Sequence, residues 1–141
     1  MSNKEIIKRF YEEGWGKGNI DLVDEVFAEK HVLHWNDLQP EDQVRTALEV
    51  KQIMVDYRKA FPDLKVEINN LVAEGDFVVV EVTFTGTHQQ AYEGFPPTKK
   101  LSRFTDMQIL KMKNGKIIES NLPSGGLDYF YRIINGSIFN D

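Results

Sequence analysis

The sequence contains no cysteine, and this absence removes several kinds of functional site. A chain without cysteine forms no disulfide bond, no thiolate nucleophile and no cysteine-based zinc site. Histidine, aspartate, tyrosine and amide side chains are left as the residue types that can supply site chemistry.

Long apolar runs and an excess of positive charge are also missing. No segment approaches the roughly 18 apolar residues that a membrane-spanning helix needs, and the first residues, Met1 to Glu5, contain no apolar signal core. The net charge of −5 argues against nucleic acid as the main partner, which would favour a basic surface. We therefore expect a cytoplasmic protein that binds neither membranes nor nucleic acid.

The remaining composition is that of one globular domain. The 141 residues are 41% apolar and 28% charged, which is ordinary for a soluble protein. A chain of this length buries roughly 68–70% of its unfolded surface, enough for a core without disulfides or metals. We predict a single domain over residues 1–141, in which nine Phe, five Tyr and two Trp supply a core or a pocket wall.

The first half of the chain has a helical pattern. Ser2 and Glu5 form a capping box, and the apolar residues that follow at helical spacing predict a helix over residues 3–14. A short second helix and a short strand over residues 31–35 come next. The pattern then predicts a long helix from residue 40 to about residue 61, where a proline stops it.

The second half changes to a period of two, which is typical of β-strands. Alternating apolar residues predict strands over residues 78–85 and 101–113. Asn114-Gly115 is a strong hairpin signal, and it predicts a further strand over residues 116–122. A short helix over residues 127–134 follows. Helices followed by a run of strands indicate an α+β fold.

Eight short motifs occur in an order that resembles a known family. They are Phe10-Tyr11-Glu12-Glu13-Gly14-Trp15, Gly18-Asn19, Val26-Phe27-Ala28, Phe61-Pro62-Asp63-Leu64, Val72-Ala73-Glu74-Gly75-Asp76, Thr85-Gly86-Thr87-His88, Gly94-Phe95-Pro96-Pro97-Thr98 and Asn114-Gly115-Lys116-Ile117-Ile118-Glu119. Together they resemble the SnoaL-like polyketide cyclase or ester cyclase family, within the nuclear transport factor two-like superfamily. The resemblance covers about residues 4–134 and implies a cystatin-like α+β fold, a cone-shaped curved antiparallel sheet packed on N-terminal helices.

The resemblance also implies an activity. Family cyclases close a ring by an intramolecular aldol reaction, without a metal or an organic cofactor. Such a reaction needs a general base beside the acidic carbon and donors for the enolate oxygen, inside an apolar cone. We therefore expect a cofactor-independent cyclase or isomerase that acts on a small hydrophobic, polyketide-like carbonyl compound, and we expect a homodimer.

One segment departs from the family pattern. Characterised cyclases carry an aspartate close after a tryptophan, downstream of the Gly-Lys-Ile-x-Glu segment. Here the region Glu119 to Gly125 contains neither residue, and Asn121 lies within it. An amide can bind a carbonyl or an enolate but exchanges no protons near neutral pH, so Asn121 suits binding. The alternative is a non-catalytic small-molecule-binding module, or a dimeric scaffold, of the same fold.

Asp106 is the best remaining acid. It alternates with Phe104, Gln108 and Leu110 on one face of the strand predicted over residues 101–113. If this face lines a cavity, burial raises the pKa of the carboxyl and makes Asp106 the acid or base. Gln108 would then orient a carbonyl. If the face meets solvent or a dimer partner, Asp106 pairs with a nearby cation.

Two histidines are further candidates for the site. His34, at the end of the first strand, titrates near neutral pH and could act as a base or a donor in the pocket. Its alternative is a hydrogen bond to a backbone carbonyl. His88 could donate at the pocket rim or anchor a loop. His31 and His34 point to opposite faces of a strand, so we expect no metal site.

Aromatic side chains could form the pocket wall. The candidates are Tyr11, Trp15, Trp35, Tyr57 and Phe61. Aromatic residues at helical spacing more often belong to an ordinary core, and the pattern leaves both roles open.

Overall fold

The computed structural model describes residues 1–35 and 41–122, with Trp35 described by its backbone alone. Within these residues six strands form one curved, unclosed sheet: β1 (Phe27–Trp35), β2 (Gln43–Thr46), β3 (Lys65–Glu74), β4 (Phe77–Thr87), β5 (Leu101–Lys113) and β6 (Lys116–Leu122). The helices are α1 (Asn3–Arg9), which continues as a π-helix (Phe10–Trp15), α2 (Leu22–Val26) and α3 (Ala47–Ala60). The predicted α+β fold is confirmed.

The strands lie in the order β2-β1-β6-β5-β4-β3. All neighbours are antiparallel except β1 and β6, which run parallel with Leu33 beside Ser120. The parallel pair joins the first strand of the chain to the last described one, so the sheet brings residues far apart in sequence to one inner face.

The N-terminal helix begins as predicted and then changes its geometry. Ser2 Oγ accepts the Glu5 amide at 3.1 Å, and the Glu5 carboxylate accepts the Ser2 amide at 3.2 Å. Beyond Arg9 the chain forms a π-helix, in which the Gly16 amide donates to the Tyr11 carbonyl five residues back. A π-turn places residues five apart on one side, and such turns frequently lie at functional sites.

The prediction of a long helix from residue 40 is wrong at its beginning. Residues 43–46 form the edge strand β2, and α3 begins at Ala47. Thr46 Oγ1 accepts the Glu49 amide at 3.2 Å, while the Glu49 carboxylate accepts the Thr46 amide at 3.3 Å. This second capping box fixes the start of α3, and β2 pairs with β1, with His31 beside Arg45.

The β5–β6 hairpin turns where the sequence predicts. Asn114 and Gly115 have φ values of 52° and 76°, and two central residues of positive φ are the mark of a type I′ turn. The register that follows places Leu110 beside Ser120.

The core lies between the helices and the inner face of the sheet. Phe61, at the end of α3, is fully buried and stacks between the rings of Tyr57 and His88, with centroid distances of 4.6 and 5.2 Å. No helix in residues 1–35 and 41–122 is long and apolar enough to cross a membrane. The helix predicted over residues 127–134 lies outside the described residues.

Candidate functional site

A cavity of about 410 Å³ lies between the helices and the concave face of the sheet. Its volume falls within the range of natural small-molecule pockets. The helices contribute Phe10, Tyr11, Trp15 and Tyr57 to its wall, and the sheet contributes Phe27, Phe84 and Phe104. Polar side chains also reach it, namely His31, Gln43, Arg45, Glu93, Asp106, Gln108 and Ser120. Tyr11, Trp15 and Tyr57 thus lie where the wall was predicted, whereas Phe61 packs behind it in the core.

The π-helix explains how three aromatic rings reach the cavity together. Phe10, Tyr11 and Trp15 lie within one wide turn, so all three side chains share the side that faces the sheet. The Trp15 ring contacts the rings of Tyr57 and Phe84 edge-on, at centroid distances of 5.7 and 5.3 Å. The wall is therefore a continuous set of ring contacts between helix and sheet.

Asp106 lies on the cavity face of β5. The alternation along the strand places Asp106, Phe104 and Gln108 inward. Gln108 Nε2 donates to Asp106 Oδ2 at 3.0 Å. Burial raises the pKa of the Asp106 carboxyl above its ordinary value of 3.8, although the hydrogen bond from Gln108 opposes this effect. A carboxyl of this kind is a better proton acceptor than a solvated one.

Two phenols lie close to this carboxyl. Burial raises the pKa of Tyr11 and of Tyr57, and the charge of Asp106 raises both further. Both phenols therefore keep their protons at neutral pH, so each can donate a hydrogen bond to a carbonyl or enolate oxygen.

His34 lies outside the cavity, on the outer face of the sheet. Its Nδ1 lies 2.7 Å from Asp42 Oδ1, and its Nε2 lies 2.9 Å from Glu119 Oε1. The alternation along β1 turns His31 and Leu33 inward and His34 outward. The structure thus places His34 in a surface cluster with two carboxylates, which corrects the expectation that it faces the pocket.

This surface cluster predicts a pH-dependent contribution to stability. Hydrogen bonds to Glu119 and Asp42 raise the pKa of His34 above 6.5. The stabilisation is therefore complete below the unfolded-state value and is lost as pH rises through the raised folded value. We expect His34→Gln to lower the free energy of unfolding by about 1 kcal/mol or less at mildly acidic pH, and by less above pH ~9. Urea denaturation at both pH values measures this, and a pH-independent difference would contradict it.

The other predicted side chains lie elsewhere. His88 is fully buried, stacks on Phe61, and accepts the Thr98 amide on Nδ1 at 3.3 Å, so it anchors the loop after β4 rather than facing the cavity. Asn121 lies between Ser120 and Leu122, which both line the cavity, so the strand alternation turns it outward. The Trp35 side chain lies outside the described part of the chain.

His31 and Arg45 are two of the polar cavity residues that sequence reasoning missed. Arg45 fell within the helix wrongly predicted from residue 40, so its place on a strand was hidden. His31 was considered only for a metal site, which was not expected, although its parity with Leu33 could have placed it inward. Among the described residues, no group of three or more histidines and carboxylates could hold a metal ion.

The sequence of the chain matches a family model along most of its length. Residues 5–122 match the model of the SnoaL-like polyketide cyclases. The chain belongs to this family. No curated protein is significantly similar to it in sequence.

Solved structures from the family share the fold of this SnoaL-like protein. A proposed SnoaL-like polyketide cyclase from Jannaschia sp. CCS1 is 24% identical over 96% of this chain and 92% of its own, with a TM-score of 0.76. A proposed polyketide cyclase from Acidithiobacillus ferrooxidans is 28% identical over 94% and 96%, with a TM-score of 0.72. IdmH from Streptomyces antibioticus, also a proposed polyketide cyclase, is 22% identical over 86% and 91%, with a TM-score of 0.71.

Proposed function

We propose that this SnoaL-like protein is a cofactor-independent cyclase or isomerase that acts on a small hydrophobic carbonyl compound. One observation carries the proposal: the Asp106 carboxyl lies in an aromatic cavity, where burial raises its pKa and two phenols lie nearby. The end of β6 lies where the resemblance places the catalytic segment of characterised cyclases, and its cavity-lining residues, Ser120 and Leu122, do not titrate. Asp106 takes the acid-base role instead; it lies four residues before Leu110, which pairs with Ser120, on the same face of β5.

The reaction begins with proton transfer to Asp106. The carboxylate takes the proton from the carbon beside the carbonyl, and the electrons of the broken C–H bond move to the carbonyl oxygen. The phenol of Tyr11 or Tyr57 donates a hydrogen bond to the resulting enolate oxygen, where negative charge develops. An isomerase returns the proton to another carbon. In a cyclase the enolate carbon attacks a second carbonyl of the same molecule, and the new alkoxide takes the proton from Asp106.

Incubation in D₂O tests the first step without knowledge of the natural substrate. The probes are aryl-substituted β-keto esters, whose α-protons are acidic and whose rings match the aromatic wall. Proton NMR follows deuterium uptake at the α-carbon, and mass spectrometry follows ring closure. We expect uptake above the buffer rate with the wild type and with Asp76→Asn, which changes an exposed turn carboxylate. Uptake at the buffer rate across the panel would contradict the proposal.

The non-catalytic binding module remains the second candidate function. The strand β6 (residues 116–122) favours it, because none of the β6 residues that line the cavity can titrate. In that case a β-keto ester would bind to the protein and remain unexchanged over hours. Calorimetric titration of the same panel separates this outcome from a protein that does not bind the probes.

A homodimer is part of the same proposal. Val72, Phe77 and Met107 are 60%, 47% and 40% exposed, and strand alternation places them on the outer face of β3, β4 and β5 together with Val79 and Ile109. An apolar face of this kind fits a second copy of the chain. Sedimentation velocity tests the proposal, and a monomer at micromolar concentration would oppose it.

A further inference from the structure

A second polar cluster lies in the cavity away from Asp106. His31 on β1 and Arg45 on β2 are direct neighbours in the strand pairing, and both line the cavity. Three strand spacings of about 4.8 Å separate β2 from β5 across the sheet. The acid-base step described above uses neither residue.

His31 has a hydrogen-bonding atom without a partner. The residue is 3% exposed, and its Nδ1 is buried with no hydrogen-bond partner among the described residues. Burial and the charge of Arg45 lower the pKa of the imidazole to about 4, so the ring is neutral at neutral pH. Because Nδ1 has almost no accessible surface, a ligand in the cavity contacts the ring only along its other edge.

Arg45 places a positive charge beside His31 in the cavity. Burial lowers the pKa of its guanidinium, which still remains charged at neutral pH. Glu49 and Glu93 are near enough to interact with its charge, and Glu93 also lines the cavity, yet both are exposed and no ion pair among the described residues includes Arg45. The planar guanidinium matches the two oxygens of a carboxylate.

We propose that Arg45, beside the neutral ring of His31, binds a carboxylate of the ligand, so that a hydrophobic keto acid is preferred as substrate to the corresponding neutral ketone or ester. Its carboxylate contacts Arg45 and its apolar body packs on the aromatic wall. The reacting carbon then lies towards Asp106. The role of the bound molecule as substrate rests on the proposed function, whereas binding of the carboxylate needs no turnover.

Matched acid and ester probes test the assignment by calorimetry. The probes are 6-phenylhexanoate and its methyl ester, which share the ring and the chain but differ in charge. We expect the wild type to bind the acid at least about tenfold more tightly than the ester, as one charged bidentate contact supplies. Arg45→Gln should remove this preference, and Arg45→Lys should restore only part of it because the bidentate geometry is lost. Arg103→Gln, which removes a charge from an exposed residue of the outer face, should leave it intact.

The ring of His31 gives a readout that does not depend on any variant. Nitrogen NMR of the wild type should show the His31 ring resonances shifting with 6-phenylhexanoate and not with the ester. Equal affinity of the wild type for acid and ester, or an Arg45→Gln variant that weakens both alike, would overturn the proposal.

The two proposals can fail separately. A preference for the acid that persists in Asp106→Asn, with no deuterium uptake by the wild type, would leave carboxylate binding standing and contradict catalysis. Deuterium uptake into β-keto esters, with equal affinity for the acid and its ester, would support catalysis and contradict carboxylate binding.

Discussion

Replacement of Asp106 by asparagine is expected to slow α-proton exchange by roughly 10²–10⁴-fold, the usual contribution of a general acid or base. The amide has nearly the same shape as the carboxyl, so it leaves the aromatic cavity filled but accepts no proton. Binding of a β-keto ester should persist, because the rings that line the cavity are unchanged. Exchange rates in D₂O and calorimetric affinities measure the two effects.

The same substitution is expected to raise the melting temperature at neutral pH. The pKa of Asp106 is higher in the folded protein than the ordinary 3.8, so this group contributes stability at low pH and loses it as pH rises through the folded value. At pH 7 the buried carboxylate therefore opposes folding, and a neutral amide removes this cost. Replacing a functional residue often makes a protein more stable for this reason.

The exposed Asp76 provides the matched control for charge removal. Asp76→Asn removes the same charge from a turn and should change neither exchange nor the melting temperature appreciably. Unchanged exchange in Asp106→Asn would contradict the acid-base role. A lower melting temperature in that variant would mean that the carboxylate is satisfied in the folded state.

Replacement of Phe61 by alanine is expected to cost about 3–5 kcal/mol of the free energy of unfolding. The ring is fully buried and stacks on both Tyr57 and His88. The backbone of β4 lies against it so closely that a Cβ on Gly86 would come within 3.0 Å of the Phe61 Cβ. Residues packed this tightly relax little around the cavity that the substitution leaves. The expected loss of unfolding free energy is therefore at the upper end of the range for truncation of a buried residue.

Urea denaturation against Leu48→Ala tests this prediction. Leu48 is 74% exposed on α3, so its truncation should cost about 1 kcal/mol or less. Removal of Phe61 also takes away the ring behind Tyr57, so ligand affinity should weaken in Phe61→Ala at temperatures where it is folded. Equal losses of stability in the two variants would show that Phe61 is not part of the core.

Local patterns were sufficient to predict the elements that local interactions determine. The capping box at Ser2 and the turn at Asn114-Gly115 each involve residues within a few positions of one another. The alternation on β5 likewise placed Asp106 and Gln108 on one face, because a strand of 13 residues shows its period clearly.

The remaining features depend on contacts between distant segments. The four residues of β2 form a strand because they pair with the edge of β1. Their local sequence does not show this pairing, so they were predicted as the start of the long helix. Sequence gives the period of β1 but not which face meets the helices, so His34 was preferred to His31. The π-helix, in turn, brings Tyr11 and Trp15 together through packing on the sheet, which no spacing rule contains.

The titration of the Asp106 side chain is the most direct test of its place in the cavity. Carbon NMR of aspartate labelled at Cγ, with the Asp106 resonance assigned by its loss in Asp106→Asn, follows the carboxyl across the acid range. Burial on the aromatic wall predicts a midpoint above 3.8. A midpoint at or below 3.8 in the folded protein would mean that the carboxyl is solvated or paired with a cation, and would contradict its role as the acid-base group.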